Sequence, residues 1–247
     1  MKTYRTAEVA SIIGVHPNTV RLYEKLGLIP KPERKPNGYR IFTDFHIEQF
    51  KLVRLALQVE VLQNGLRKKI IQAVKASAAG DFNTAISLTE DYLRQLQQER
   101  TNAEKAIEIV KRILPGGVPE TSRCFKRKEV SEYLDISVDS LRNWEMNGLI
   151  TVKRKQNGYR VYTDEDIRKL IIIRTLRCAN YSLEAILQML RQLSEDPDSD
   201  IETILNTPKQ DADIISVCDR LIVSLSAAEE NACKILYMLQ EMKARFL

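Results

Sequence analysis

Two clusters of basic and aromatic residues are the part of the sequence best suited to bind a polyanion. Each surrounds an Asn-Gly dipeptide. Lysine and arginine attract phosphate groups, and a tyrosine hydroxyl can donate a hydrogen bond to a phosphate oxygen. The first cluster comprises Lys31, Arg34, Lys35, Tyr39 and Arg40, and the second comprises Lys153, Arg154, Lys155, Tyr159 and Arg160. We predict two phosphate-contacting surfaces; the alternatives are loops that only aid solubility and tyrosines that only pack within their hairpins.

The two clusters belong to an internal repeat. Residues 9–29 align with residues 130–150 at an offset of 121, and residues 37–44 align with residues 157–164 at an offset of 120. Chance would not hold this register across roughly 45 residues, so the chain contains two copies of one design. Each copy must therefore supply the elements that position its own cluster.

Each copy predicts a helix-turn-helix. In the first copy, apolar spacing and turn residues indicate short helices over residues 6–13 and 17–26. In the second copy, the corresponding helices cover residues 127–134 and 138–147. Two short helices joined by a tight turn are a unit that places its second helix in the DNA major groove.

A β-hairpin and further helices follow the helix-turn-helix. Asn37-Gly38 predicts a tight hairpin turn in which both residues take positive φ, and this hairpin would form a wing. Thr43 then caps a third helix over residues 44–57. The second copy repeats this order, and Ser182 begins a fourth helix there.

The first residues of the second helix in each copy are the predicted base readers. The predicted DNA-contacting set comprises these base readers and neighbouring residues expected to touch the DNA backbone. Its members are His16, Pro17, Asn18, Thr19, Arg21 and Tyr23 in the first copy and Ser137, Asp139, Ser140, Arg142 and Asn143 in the second. Asn18 can contact adenine through both atoms of its amide. Asp139 can only accept, as from cytosine N4, or it can stabilise the helix N-terminus. We therefore predict two unequal half-sites.

Some of these residues could have a structural role instead of a role in DNA binding. Arg21 and Tyr23 are expected to contact phosphates, whereas the alternative for Arg21 and Arg142 is a solvated helix charge. We expect Trp144 to anchor the core rather than stack on a base. His46 is expected to be an ordinary helix residue.

Two long amphipathic helices follow the two copies. Apolar residues recur at alternating spacings of three and four over residues 86–114, interrupted by Thr89 and Arg100, and without interruption over residues 214–246. This spacing is typical of coiled-coil helices, and a single apolar stripe would stay half exposed, so we expect the two helices to pair. The Pro-Gly-rich residues 115–119 separate them.

The predicted fold class is mainly α. Two winged helix-turn-helix domains with short β-hairpin wings are each followed by a long coiled-coil helix, and together they form an intrachain pseudo-dimer. The predicted boundaries are 1–80 for the first winged domain, 81–114 for the first long helix, 115–122 for a linker, 123–195 for the second winged domain, 196–210 for a connector and 211–247 for the second long helix.

The composition argues against other protein classes. The net charge of +5 is compatible with nucleic-acid binding without proving it. No apolar run reaches the roughly 18 residues that a bilayer requires, and the N-terminus lacks a signal peptide, so we expect a cytoplasmic protein without a membrane partner. The four cysteines lie far apart and are expected to be free thiols. No side-chain cluster suggests catalysis or zinc binding, so we expect neither an enzyme nor a cofactor.

Both copies resemble the MerR family of bacterial transcriptional regulators. The resemblance rests on residues 20–29, VRLYEKLGLI, with residues 37–43, NGYRIFT, and on residues 141–150, LRNWEMNGLI, with residues 157–163, NGYRVYT. Members of this family are usually homodimers with one winged unit and one long helix per chain, and the long helices pair antiparallel. The resemblance implies a MerR-type dimer fused into one chain, a monomeric pseudo-dimer rather than a homodimer.

The resemblance also implies a function. MerR-type proteins bind double-stranded promoter DNA and bend and untwist it for RNA polymerase, usually in response to an effector. The cysteine group of the family's metal sensors has no counterpart here. A small-molecule effector would bind between the winged units and the helices, near residues 194–210, for which a flexible connector is the alternative. Two other functions stay open: a small-molecule-binding protein whose DNA heads serve autoregulation, and an effector-free repressor or architectural protein.

Overall fold

The computed structural model describes residues 2–58, 65–114, 124–154, 159–206 and 220–246. Elements of the first repeat are β1 (Thr3–Tyr4), α1 (Thr6–Ile13), α2 (Pro17–Lys25), β2 (Glu33–Arg34), β3 (Arg40–Thr43), α3 (Asp44–Ala56), α4 (Leu66–Ala78) and the long α5 (Phe82–Ile113). Elements of the second repeat are β4 (Cys124–Phe125), α6 (Arg127–Leu134), α7 (Val138–Met146), β5 (Lys153–Arg154), β6 (Arg160–Thr163), α8 (Asp164–Cys178), α9 (Leu183–Glu195), α10 (Ile201–Asn206) and the long α11 (Leu221–Phe246). The prediction of a mainly α fold with two winged helix-turn-helix units is confirmed. Within the described residues, every helix is too short or too polar to cross a bilayer.

The chain divides into two compact units. Unit 1 consists of residues 1–98 and 224–247, and unit 2 consists of residues 99–223. Unit 1 therefore combines the first winged domain with the beginning of α5 and with most of α11. Unit 2 combines the second winged domain with the end of α5.

Each winged domain contains a three-stranded antiparallel sheet rather than a two-stranded hairpin. In unit 1 the strand order is β1-β3-β2, with Thr3 opposite Thr43 and Arg34 opposite Arg40. Unit 2 repeats this order as β4-β6-β5. The outer strands β1 and β4 were not predicted, because a two-residue strand is too short to show an alternating pattern. These strands fasten the chain just before each helix-turn-helix to the wing.

The wing turn of unit 1 differs from the expected two-residue turn. Gly38 has a φ of 83°, and no other residue of this turn has positive φ. The Gly38 amide donates to the Lys35 carbonyl, and the Lys35 amide donates to the Tyr39 carbonyl, both at 2.8 Å. These bonds enclose a three-residue loop in which one glycine takes the left-handed conformation. The prediction of positive φ at Asn37 was wrong, and its counterpart at residues 157–158 lies outside the described residues.

The third helix of each repeat begins with the same cap built from different side chains. The Thr43 amide donates to Nδ1 of His46 at 3.1 Å, and the Thr163 amide donates to Oδ2 of Asp166 at 2.8 Å. The imidazole of His46 is buried and meets the Phe42 ring edge-on at 5.4 Å between centroids. His46 is thus a buried capping residue and not the ordinary helix residue expected. Burial lowers the pKa of the His46 imidazole.

A buried polar network joins three elements of unit 1. The side-chain amide of Gln49 donates to the carbonyls of Leu28 and Val74 at 3.0 and 2.9 Å, and its oxygen accepts from the Ser77 hydroxyl at 2.8 Å. Gln49 and Ser77 are fully buried. The network fixes α3 against α4 and against the segment that leads from α2 into the wing. In the second repeat this position is Lys169, which is paired with Glu165 at 2.8 Å and half exposed.

The apolar seam of α5 begins at Phe82, four residues before the predicted start, and two of the predicted positions in its first half are shifted by one residue. The buried positions in its first half are Phe82, Ala85, Thr89, Tyr92 and Leu96, whereas Ile86 and Leu93 are only half-buried. The Thr84 amide donates to the Asp81 carboxylate at 3.0 Å, so the helix begins beside Phe82 and the seam starts there. Burial raises the pKa of Tyr92 to about 12. From Leu96 onward the predicted positions Ala103, Ile107 and Val110 are buried.

The seam of α11 is confirmed from Leu221 onward, and its predicted members before residue 220 lie outside the described residues. In the last turn, the Phe246 ring lies 5.2 Å from that of Phe45, which in turn lies 5.9 Å from that of Phe82. The end of α11 therefore packs on the first winged domain through an aromatic cluster.

The segment predicted as a connector over residues 196–210 contains the short helix α10. Its residues Ile201, Ile204 and Leu205 are buried, and Asp200 accepts from the Thr203 amide at 3.0 Å. This cap repeats the one at Asp81 and Thr84, so α10 corresponds to the first turns of α5. The connector interpretation was therefore wrong for residues 201–206.

Removing the Gln49 side chain should destabilise unit 1. Gln49→Ala leaves two carbonyls and one hydroxyl without their buried partner and opens a cavity, so the free energy of unfolding should fall by about 3 kcal/mol. Urea titration followed by circular dichroism measures it. Lys169→Ala at the matching position of the second repeat should cost less than about 0.5 kcal/mol. Equal losses in the two variants would contradict a special role for the network.

The stability of unit 1 should fall as the medium becomes acidic. Because the folded state lowers the pKa of His46, the unfolded chain binds a proton at higher pH than the folded one does. The contribution of the neutral His46 side chain to the free energy of unfolding is complete above the ordinary histidine pKa of about 6.5, and it is lost as the pH falls below that value. His46→Gln keeps an uncharged acceptor for the cap and should reduce this dependence. Melting curves between pH 5 and 8 test it, and identical slopes for both proteins would contradict it.

Candidate nucleic-acid interface

Helix α2 presents a short polar surface at its N-terminal end. It starts with Pro17, and Nδ1 of His16 accepts from the Asn18 amide at 3.2 Å. Asn18 and Arg21 are exposed, and a guanidinium nitrogen of Arg21 donates to Oδ1 of Asn18 at 2.9 Å. The two residues expected to reach base and phosphate thus form one hydrogen-bonded pair. A two-point contact between Asn18 and adenine requires that Arg21 release the amide oxygen.

Helix α7 presents a different surface at the equivalent place. Its cap is Ser137, whose hydroxyl oxygen accepts from the Ser140 amide at 3.0 Å. Asp139, Arg142 and Asn143 are exposed. Asp139 places a carboxylate in the first turn, where the helix dipole favours negative charge. Thus the first turn of α7 carries the carboxylate of Asp139, which only accepts hydrogen bonds, where α2 carries the amide of Asn18, which both donates and accepts.

Two aromatic residues of these helices belong to the core. Trp144 is buried, which confirms its predicted role as an anchor. Tyr23 is also buried, and its ring stacks on Phe50 at 5.8 Å between centroids. This position therefore holds a core residue in both repeats, and the contact of Tyr23 with phosphate stays a prediction.

The arginine that ends each wing pairs with the helix-turn-helix. Nε of Arg40 lies 2.6 Å from Oε2 of Glu24, and Nε of Arg160 lies 2.6 Å from Oε2 of Glu145. Both carboxylates are largely buried, at 14 % and 10 % exposure. Each arginine thus serves a carboxylate and fixes the wing against the second helix, and a phosphate contact by Arg40 or Arg160 stays a prediction. Arg34, at 3.6 Å from Glu24, remains half exposed.

Unit 2 holds its central carboxylate more tightly than unit 1. Two further donors reach Glu145: the Arg127 guanidinium at 2.9 and 3.0 Å, and the Tyr162 hydroxyl at 2.6 Å. Burial, and then the hydrogen bond to Glu145, raise the pKa of Tyr162, so its hydroxyl stays protonated and donates. The first repeat has Thr6 and Phe42 at these two positions. The extra guanidinium and the extra hydroxyl thus occur together in unit 2.

The remaining wing residues face solvent where the structure describes them. Tyr39 is 69 % exposed and Tyr159 is 73 % exposed, so packing within the hairpin does not account for either ring. The exposed basic residues are Lys31, Lys35 and Lys153. Pro17, Thr19 and Ser140 are half-buried. Lys155 and the side chain of Arg154 lie outside the described part of the chain.

The residues that position the wings were not predicted from the sequence. Glu24 and Glu145 recur at equivalent places, as Arg40 and Arg160 do, and this joint recurrence was the signal for an ion pair. Arg127 has no counterpart in the first repeat and therefore gave no such signal. Three of the cysteines, Cys124, Cys178 and Cys233, are free and exposed, and the fourth lies outside the described residues. In the described ranges, no group of three His, Cys, Asp or Glu side chains is placed to hold a metal ion.

Comparison with known proteins matches both winged domains. The model of the "MerR family regulatory protein" matches residues 5–42, and that of the "MerR HTH family regulatory protein" matches residues 125–193. Both repeats therefore match MerR-family models. The MerR units of this chain therefore recur as the sequence repeat predicts, and the family resemblance is confirmed.

Curated relatives agree with this assignment. The mercuric resistance operon regulatory protein of Bacillus cereus is 28 % identical over 131 residues, which are 52 % of this chain and 91 % of that protein. The transcriptional regulators CueR and ZntR of Escherichia coli are 42 % identical over 53 residues and 31 % identical over 65 residues. The chain spans less than half of their lengths, 39 % and 46 % respectively. No solved structure matches.

The chain is therefore a DNA-binding transcriptional regulator of the MerR type. The matching families and relatives are regulators and not enzymes. Two MerR-type helix-turn-helix units in one chain give it two candidate DNA-reading surfaces, at α2 with its wing and at α7 with its wing.

Loss of the charge on Glu145 should loosen the second wing. Glu145→Gln removes the counter-ion of two partly buried guanidinium groups, so the free energy of unfolding should fall by about 2 kcal/mol. Chemical denaturation measures this change. Glu132→Gln is the matched control, because Glu132 pairs with Lys128 at 3.8 Å on an exposed surface and should contribute less than about 0.5 kcal/mol. A loss as small as that of the control would contradict the proposed wing clamp.

Proposed function

We propose that this MerR-family chain acts as a monomeric pseudo-dimer that binds one asymmetric promoter site through its two unlike helix-turn-helix units. The observation that carries the proposal is the difference between α2 and α7: Asn18 and Asp139 occupy the same exposed place in the first helical turn. An amide both donates and accepts, whereas a carboxylate only accepts. Two helices that differ in this way favour different bases.

The division of the chain supports a pairing of helices within one polypeptide. Unit 1 contains both the first winged domain and the C-terminal end of α11. The aromatic cluster of Phe45, Phe82 and Phe246 gives this packing an apolar centre. A homodimer covers the equivalent surface with a helix from a second chain. Here the same chain supplies the helix.

The proposed mechanism is distortion of promoter DNA. Two heads joined in one chain can bend or untwist the DNA between their half-sites, at an energetic cost that depends on the DNA sequence. Such a change would realign the promoter for RNA polymerase, which is the second proposed partner. A small-molecule effector would act by favouring one spacing of the heads over another.

The stoichiometry of the complex tests this proposal. The mass of the purified protein, alone and with a duplex of its own promoter, is measured by light scattering during size-exclusion chromatography. We expect one chain alone and one chain per duplex. Two chains per duplex would overturn the pseudo-dimer and would require an operator with four half-sites.

Exchanging the two first-turn residues should change half-site preference separately in each head. Asn18→Asp should weaken binding to a duplex carrying two copies of the first half-site by about 10- to 100-fold, because the bidentate contact to adenine is lost. Binding to the symmetrised second half-site should be nearly unchanged. Asp139→Asn should show the reverse selectivity. Fluorescence anisotropy with both duplexes measures these affinities, and equal effects on the two duplexes would contradict separate reading.

A further inference from the structure

Unit 1 contains an open groove of about 660 Å³ between the end of α2, the start of the wing and the end of α4. Its lining includes five basic side chains and one acid. The bases are Arg21, Lys25, Lys31, Arg40 and Lys75, and the acid is Glu24. Because Glu24 is already paired with Arg40 and Arg34, it does not neutralise the others. The groove is therefore strongly cationic.

Three of these cations have no counter-ion in the described part of the chain. Lys25, Lys31 and Lys75 are exposed and form no ion pair there. Arg21 bonds only to the neutral amide of Asn18. Like charges gathered around one groove repel one another unless an anion enters it. Several lysines around an open groove therefore favour a ligand with multiple negative charges, and phosphate is the chemistry that they recognise well.

The corresponding groove of unit 2 is different. It is lined by Gly148 and Ile150, where the first groove has Gly27 and Ile29, and its wall from α9 includes Arg191. Its charges balance, since three bases are accompanied by three acids: Arg168, Lys169 and Arg191 with Glu165, Asp166 and Glu195. The counterpart of Lys25 is the exposed Met146. One design therefore carries a cationic groove in one unit and a balanced groove in the other.

We propose that the cationic groove of unit 1 is a phosphate-binding site. The site would give the first head contacts with the DNA backbone that the second head lacks. This role on DNA rests on the proposed function. Arg21 lines the groove and also bonds to Asn18, so the groove adjoins the predicted base reader of the first head. The first head is then the anchor of the chain on DNA, and the second head adds selectivity with fewer phosphate contacts.

The first arm of the test measures how promoter binding depends on salt. Lys25→Met with Lys75→Gln should lower the slope of log affinity against log salt by about one for each lysine removed. At 0.15 M salt this corresponds to a roughly 30-fold weaker complex. The control variant, Arg191→Gln with Lys234→Met, changes the net charge equally, and its slope should stay near that of the original protein. Melting curves confirm that both variants are folded.

The second arm uses pyrophosphate without DNA, followed by titration calorimetry. It distinguishes a DNA phosphate from a small phosphorylated ligand. A lower slope in the groove variant alone supports the site with the DNA backbone as its source of phosphate. An unchanged slope together with pyrophosphate binding that only the groove variant loses supports the site with a free phosphate compound as its ligand. The proposal would be overturned if the salt slopes of both variants were unchanged and pyrophosphate did not bind. It would also be overturned if the groove variant and the control variant lost salt dependence and pyrophosphate binding equally.

The two arms also separate this proposal from the proposed function. If the original protein fails to bind its promoter, the reading of promoter DNA is wrong, and the calorimetry alone then decides the groove. If the protein binds the promoter with one chain per duplex but the groove variant behaves like the control in both arms, only the phosphate site is wrong.

Discussion

The ion pair between a helix carboxylate and a wing arginine is the constraint on which each DNA-reading surface depends. Glu24 and Arg40 in unit 1, and Glu145 and Arg160 in unit 2, meet at 2.6 Å. A two-stranded wing alone has too little apolar contact to hold one orientation. The largely buried carboxylate fixes the orientation of the wing, because the free-energy cost of its desolvation is offset only when the wing arginine lies beside it. The outer strands β1 and β4 fasten the other edge of each wing. The exposed tyrosines and lysines then project from a rigid support.

Much of the fold follows from local signals in the sequence. Helices α1, α2, α6 and α7 begin and end within one residue of their predicted bounds, because caps, glycines and an apolar face agree there. Elements without a local signal were missed, such as the two-residue strands, which exist only through pairing. The predicted seam of α5 was shifted in its first half because Ile86 and Leu93 continue the apolar spacing, whereas the buried residues there are Phe82, Ala85 and Tyr92. Residue type alone does not reveal which of two adjacent stripes is covered.

The candidate interface was predictable in outline, but the contacts that fix its arginines and Tyr23 within each unit were not. The exposed positions Asn18, Arg21, Tyr39, Arg142 and Tyr159 are where the helix and hairpin patterns place them. Arg40, Arg160 and Tyr23 were assigned to DNA because basic and aromatic residues suit phosphate, yet the same chemistry suits a carboxylate or an aromatic core. Deciding between these partners requires distances between residues far apart in sequence. The cationic groove was hidden for the same reason, since α2, the wing and α4 assemble it from separate segments.

The packing of α11 on the first winged domain has a consequence for how the regulator behaves at low abundance. When a second molecule supplies the covering helix, assembly depends on protein concentration and fails on dilution. A covering helix tethered within the same molecule acts at a high effective concentration that does not vary with copy number. The cover that α11 provides on the first winged domain would therefore persist when a cell holds only a few molecules. Since each winged domain is encoded separately, a mutation alters one of them at a time, and the two can diverge independently.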